Sequence, residues 1–286
     1  MHPILIDFGQ ISLLGYEFHL RLPAYGTFYA AALVIGWLMV KKLGRERYPD
    51  APWTDIFFIS AIAGIAGARL LNGITVLPDV LAGRVPFKAV LQGGGVWLGG
   101  ALTAFVVFVL LCHRSGVDKG VGINVLFTAI PLGHAVGRIG CLLGGCCYGA
   151  ECHLPWAITF TDSLAHQVNR TPLNVPLHPT QLYEFGVEMI NFVICYRLWR
   201  ANPRPWSIAI VWFGLYGGQR FFLEFVRADY RGGMGGLSPS QWLSFGMVIV
   251  AIALISSWIR GGTFLKRASA PAPAHQPKRK KKARKR

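Results

Sequence analysis

The sequence predicts an all-α polytopic membrane protein of about seven transmembrane helices, N-terminus outside and C-terminus inside. Three observations carry this. The chain of 286 residues is 53% hydrophobic and only 15% charged, with mean hydropathy +0.42, a composition foreign to soluble domains. Its apolar stretches recur at lengths near the roughly 20 residues that cross hydrocarbon. Its basic residues gather on alternate connections, as positively charged inner loops do.

The expected spans are 25–43, 55–77, 95–112, 121–143, 182–199, 206–226 and 240–259. The first follows Pro23, which leaves the preceding residues as a short outer surface segment. Lys41, Lys42, Arg45 and Arg47 make the first connection cytoplasmic. Arg114 and Lys119 mark the next inner connection, and Arg197, Arg200 and Arg204 the one after. The outer side carries fewer: Arg21, Arg84, Lys88, Arg170, Arg227 and Arg231. Between spans four and five lies the longest outer loop, 150–181, with His153, His166 and His178; loops of that length usually cover or carry a site. No cleavable signal peptide is expected, because no basic region precedes a compact apolar core.

Two units follow: a seven-span domain over 1–265 and a disordered basic cytoplasmic tail over 266–286. Most of the net charge of +16 lies in that tail. It attracts anionic lipid at about 1 kcal/mol per basic residue near the surface. Nothing else in the chain supports a nucleic-acid partner.

Three arginines fall inside apolar stretches: Arg69, Arg138 and Arg220. A charge at bilayer depth is costly and marks function by default. Span four ends in Gly133-His134-Ala-Val-Gly137-Arg138-Ile-Gly140-Cys141-Leu-Leu-Gly144-Gly145-Cys146-Cys147-Tyr-Gly149. Its small-xxx-small pairs let helices approach closely. Beside a guanidinium, that close approach makes a slot where phosphate can be held bidentately. His134 and Arg138 are four apart and share a helix face. Span six ends with Arg220 and Glu224 at the same spacing: either an ion pair that hides both charges from lipid, or a carboxylate that aims Arg220 at a ligand. Arg227 is expected to reach the interface by snorkelling. His178-Pro-Thr-Gln181-Leu-Tyr183-Glu184 opens span five, either as a plain helix start or as site lining.

Cys141, Cys146, Cys147 and Cys152 cluster near the outer boundary, whereas Cys112 and Cys195 read as ordinary span residues. Four readings stand: small packed side chains, a disulfide of Cys146 or Cys147 with Cys152, a covalent nucleophile at Cys141 or Cys146, and a metal site. The last is disfavoured, because C-x4-C-C-x4-C is not a common zinc spacing. No metal and no cofactor are expected.

Together these motifs resemble the prolipoprotein diacylglyceryl transferase family. The resemblance runs from Pro23-Ala-Tyr25-Gly26 through Arg69, Gly99-Gly100, Gly137-Arg138-x-Gly140, His178-Pro-x-Gln181-Leu-Tyr183-Glu184 and Arg220-x-x-x-Glu224-Phe-x-Arg227. It implies transfer of the diacylglyceryl group of phosphatidylglycerol to the lipobox cysteine of a prolipoprotein signal peptide, with release of glycerol phosphate. It also implies a multi-pass location in a bacterial inner membrane. Arg138, Arg220 and Glu224 would be catalytic. Tyr25, Arg69, Gly99, Gly100, Gly137, Gly140, Gly149, His178, Gln181 and Tyr183 would bind substrate. The chain departs from the family's usual Gly-Arg-x-Gly-Asn-Phe-x-Asn-x-Glu-x-x-Gly. Cys141 and Gly144 replace the asparagines and Cys146 the glutamate, while Leu98 stands where a His-Gly-Gly motif has its histidine. One repair is that His134, a turn before Arg138, supplies the base. A paralogue that binds anionic phospholipid without catalysis also fits these departures. An anionic-solute transporter predicts internal repeats, and the sequence shows none.

Overall fold

The computed structural model describes residues 2–13, 16–88, 96–202, 204–228 and 235–261. The basic tail over 266–286 lies outside these residues. The long helices are α1 (Ala24–Arg47), α2 (Trp53–Leu81), α3 (Trp97–Arg114) and α4 (Lys119–Gly144). After a short α5 (Ser163–Asn169) come α6 (Thr180–Arg200), α7 (Ser207–Leu223) and α8 (Pro239–Arg260). A 3-10 turn, Glu224–Val226, continues α7. Five of these helices, α1 to α4 and α8, are long and apolar enough to cross a membrane. The other two expected spans correspond to α6, which buries two glutamates and an asparagine, and α7, which has 17 residues.

The fold is mainly helical, with one correction to the all-α expectation. The N-terminal segment is an antiparallel hairpin of β1 (Ile4–Leu13) and β2 (Tyr16–Pro23). Strict apolar–polar alternation in Phe18-His-Leu-Arg-Leu22 is the strand period that predicts it. Asp7 accepts from Gly9 N–H at 2.9 Å and pairs with His19 and Arg21 across the hairpin. The Gly9 bond first, then His19, holds its carboxyl below the usual carboxylate range. A second two-stranded pairing, β3 (Ile158–Thr159) with β4 (Pro176–Leu177), sits in the outer loop.

Helix ends follow local chemistry. Asp118 caps α4 by accepting from Val121 N–H at 2.9 Å, and Gly145 ends it at φ 75°, the left-handed cap glycine favours. Ser238 and Gln241 form a capping box on α8, with Pro239 at its first turn. Nothing on Trp206 caps α7. Instead Asn124 of α4, almost fully buried, accepts from Ile208 N–H at 3.0 Å and donates to Arg204 O at 2.9 Å. A buried amide with both ends used fixes α7 against α4.

α4 is the central helix, packed against α1 on one side and α6 on another, while α2 pairs with α3 and α7 with α8. At the end of the bundle where α1 and α6 terminate, Val40, Leu43, Trp53, Phe108, Cys112 and Trp199 belong to one apolar cluster. Gly44 makes room there, since a Cβ would stand 2.2 Å from Trp53. Ile62, Leu70, Leu102 and Ile252, on α2, α3 and α8, are exposed, the apolar outer surface a bilayer would cover.

Candidate active site

In the opposite half of the bundle, α4, α6 and α7 bring seven ionisable groups together. Glu184, on the first turns of α6, is the hub. Its side chain is 2% exposed and is paired with Arg138 of α4. Arg227 approaches it at 3.4 Å and Arg220 at 3.8 Å. Arg220 also pairs with Glu224 at 2.6 Å. His134 takes Arg138 Nε–H on its Nε2 at 3.1 Å and faces Glu188 with Nδ1 at 3.2 Å. Near them, Asn191 donates to Gln219 at 3.1 Å. Tyr216 stacks on Trp212 and lies beside His134.

The geometry follows from helix spacing. His134 and Arg138 lie one turn apart, as do Glu184 and Glu188, so each pair presents one face to the other helix. Buried charges of this kind persist only when paired and hydrogen-bonded. Three arginines face three carboxylates here. Each of the three guanidinium groups brings one nitrogen toward Glu184, a convergence of donors that suits a phosphate as well as a carboxylate.

The sequence expectations divide. Arg138, Arg220, Glu224 and His134 come together. Arg227 does not snorkel: its side chain is 3% exposed and turned to Glu184, because the chain leaves α7 in a tight 3-10 turn rather than running on as helix. Glu184, Glu188 and Tyr216 were missed as members of the cluster. Two glutamates one turn apart inside an expected span were the available signal.

His178, Gln181 and Tyr183 lie at the start of α6, within six residues of Glu184 in sequence. Tyr183 OH accepts from Trp156 Nε1–H at 2.7 Å and lies 3.1 Å from His178 Nδ1. Gln181 donates to Cys146 O at 2.7 Å, while its Oε1 is buried without a hydrogen-bond partner. Gly149 fills a backbone junction: it donates to His178 O at 3.0 Å and pairs with Arg227 as an isolated bridge. A Cβ there would meet His178 Cβ at 2.5 Å and Val226 O at 2.7 Å. Gly140 lets α1 close on α4, with Phe28 Cβ at 2.8 Å from a Cβ position. Beside Gly137 nothing stands within 4 Å of that position. Tyr25, half exposed, sits over the end of α4 near Gly144.

Other expected residues lie elsewhere. Gly99 and Gly100 form a seam with α2, where Cβ atoms would meet Gly67 O at 2.6 Å and Gly64 O at 3.0 Å. Helix packing accounts for both. Arg69 is on the exposed side of α2, whose neighbours are α1 and α3. The cysteines also rearrange. Cys141, Cys146 and Cys147 bring their sulfurs within 4.8 Å of one another. Cys152 is free and buried outside that group, so the expected pairing with it is not formed.

Fold and site fit a helical membrane protein with a buried arginine–carboxylate centre. A family model described as prolipoprotein diacylglyceryl transferase matches residues 13–257, and the chain belongs to that family. It is similar to the phosphatidylglycerol–prolipoprotein diacylglyceryl transferase 2 of Clostridium perfringens, at 31% identity over 85% of this chain and 93% of the relative. The enzyme of that name from Clostridium tetani is 29% identical over 82% and 92%. That of Bordetella bronchiseptica is 31% identical over 80% and 88%.

Proposed function

We propose that this chain transfers the diacylglyceryl group of phosphatidylglycerol to the acceptor cysteine thiol of a prolipoprotein, releasing glycerol phosphate. The carrying observation is the convergence of Arg138, Arg220 and Arg227 on Glu184 inside the bundle. The reaction turns a phosphate diester into a monoester, so charge grows on the departing oxygens. Donors fixed beforehand at that position stabilise the transition state more than the ground state.

In this reading Arg138 and Arg220 grip the phosphate and Glu224 orients Arg220. Tyr25 and the Gln181–Tyr183 segment bind the glycerol end; Gly140 and Gly149 keep the backbone close, and the open space beside Gly137 leaves room for substrate. His134 Nε2 accepts from Arg138 Nε–H, and its Nδ1 lies 3.2 Å from Glu188. Its part is to position Arg138, and the thiol proton goes to another acceptor. The domain over 1–265 crosses a bacterial inner membrane seven times, N-terminus out, with α6 and α7 as the two polar spans.

Complementation tests this. Cells depleted of their own transferase receive the gene, and reporter prolipoprotein is followed by gel shift and mass. Lipidation by wild type, lost in Arg138→Ala, is expected. A well-expressed wild type that lipidates nothing while binding phospholipid would favour a non-catalytic lipid-binding paralogue.

A further inference from the structure

The arginine–carboxylate cluster makes no use of the three thiols beside it. Cys141 closes the last turn of α4, and Cys146 and Cys147 follow its cap, with all three sulfurs within 4.8 Å. Cys141 is buried and the other two are half-buried. The loop is pinned at successive carbonyls: Gly144 O accepts from Asn169, Gly145 O from Thr171, Cys146 O from Gln181 and Cys147 O from Thr180. Cys147 has φ 62°, a left-handed conformation uncommon outside glycine. If the loop needed only a small residue, glycine would meet that backbone at no steric cost. A sulfur is held there instead.

We propose that Cys141, Cys146 and Cys147 bind a thiophilic divalent cation of the zinc class, leaving one tetrahedral position for the acceptor thiol. This rests on the transferase reading. Sulfurs about 2.3 Å from a tetrahedral zinc stand about 3.8 Å apart, so the observed cluster is within about 1 Å of closure. An all-thiolate set selects soft cations over magnesium or calcium. Three protein ligands with one open position is the pattern of catalytic rather than structural zinc. Three thiolates and a divalent cation carry one net negative charge; Arg138 acts electrostatically on the Cys141 and Cys147 sulfurs and Arg227 on that of Cys147.

The site answers a need of the reaction, because a thiol that coordinates such a cation is deprotonated outright. The acceptor thiol binds the fourth position and gives its proton to outer solvent. Its sulfur attacks the glyceryl carbon that carries the phosphate. A carbon–sulfur bond forms and the carbon–oxygen bond breaks. The electron pair leaves on the phosphate oxygen, facing the arginines, and no oxidant or reductant takes part.

The test uses the full chain, purified reduced in detergent and stripped by a chelator. Cobalt(II) is the optical probe and zinc the competitor. One equivalent of cobalt with sulfur-to-metal charge-transfer and tetrahedral bands is expected. Those bands should vanish in each of Cys141→Ser, Cys146→Ser and Cys147→Ser and persist in Cys152→Ser. A peptide carrying the acceptor cysteine should shift the bands, and its serine counterpart should not. No stoichiometric binding under reducing conditions overturns the site, as does binding that survives the three substitutions. Full lipidation by metal-free protein overturns its role while leaving the transferase reading intact. Metal binding without lipidation in complementation would do the reverse.

Discussion

The two ends of the helix bundle are built on opposite principles, and α6 runs from one to the other. On its buried face, Glu184, Glu188 and Asn191 give way to Cys195 and Trp199. One end is organised by charge, with Glu184 among three arginines. At the other, Leu43, Trp53, Phe108 and Cys112 pack almost without exposure. An apolar end is held by shape and tolerates loss in proportion to the cavity left. A charged end is held by pairing, so removing one member strands the others. The charged end is therefore the fragile one, and also the one able to do chemistry.

The sharpest way to break this comparison is Glu184→Ala. It leaves three guanidinium groups without their shared partner and should cost about 3–5 kcal/mol, read as a lowered unfolding temperature in detergent. Unchanged stability would mean that the arginines do not depend on it. Arg138→Lys keeps the charge but loses the fork. It should cut lipidation by about 10²–10³, the size of one lost transition-state donor, with the fold intact. At the other end, Phe108→Ala should cost about 3 kcal/mol yet leave lipidation per folded molecule near wild type; a matching loss of specific activity would join the two ends functionally.

Gly67→Ala probes the α2–α3 seam, where the new methyl meets Thr103 Oγ1 at 2.2 Å and Gly99 O at 2.8 Å. Overpacking of this kind costs about 1–3 kcal/mol, and calorimetry of the purified protein would read it. The smallest effect belongs to the hairpin. The lowered carboxyl of Asp7 means that its contribution is present above its ordinary value of 3.8 and fades as pH falls through the lower folded value. Faster Gly9 amide exchange in acid, relative to the helices, would show it.

The helices were legible because each depends on a local property, apolar length between basic connections. The cluster was half legible. Arg138, Arg220 and Glu224 stand out because charge in an apolar run is conspicuous. Glu184 did not, because beside Pro179 it also satisfies a helix start. That Gly99 and Gly100 serve packing against α2 depends on contact between two helices, which no single stretch encodes. The cysteines were visible as a cluster in sequence, but which three meet was not: the left-handed turns at Gly145 and Cys147 are held through carbonyls by Asn169, Thr171, Thr180 and Gln181, all far along the chain. The hairpin was missed although its alternation was local, because the surrounding composition points so strongly to helix.

The hub also has a consequence for biogenesis. Chains are made from the N-terminus, so α4 is complete before Glu184 has been synthesised. During that interval Arg138 has no carboxylate partner from α6. It lies six residues from the end of α4, about 9 Å along the axis, a distance its own length can span toward the headgroups a bilayer would place at that end. The arrival of α6 then draws it inward. Assembly of the centre is thus a late event, and a ribosome-stalled chain ending before α6 would expose an arginine that the finished protein conceals.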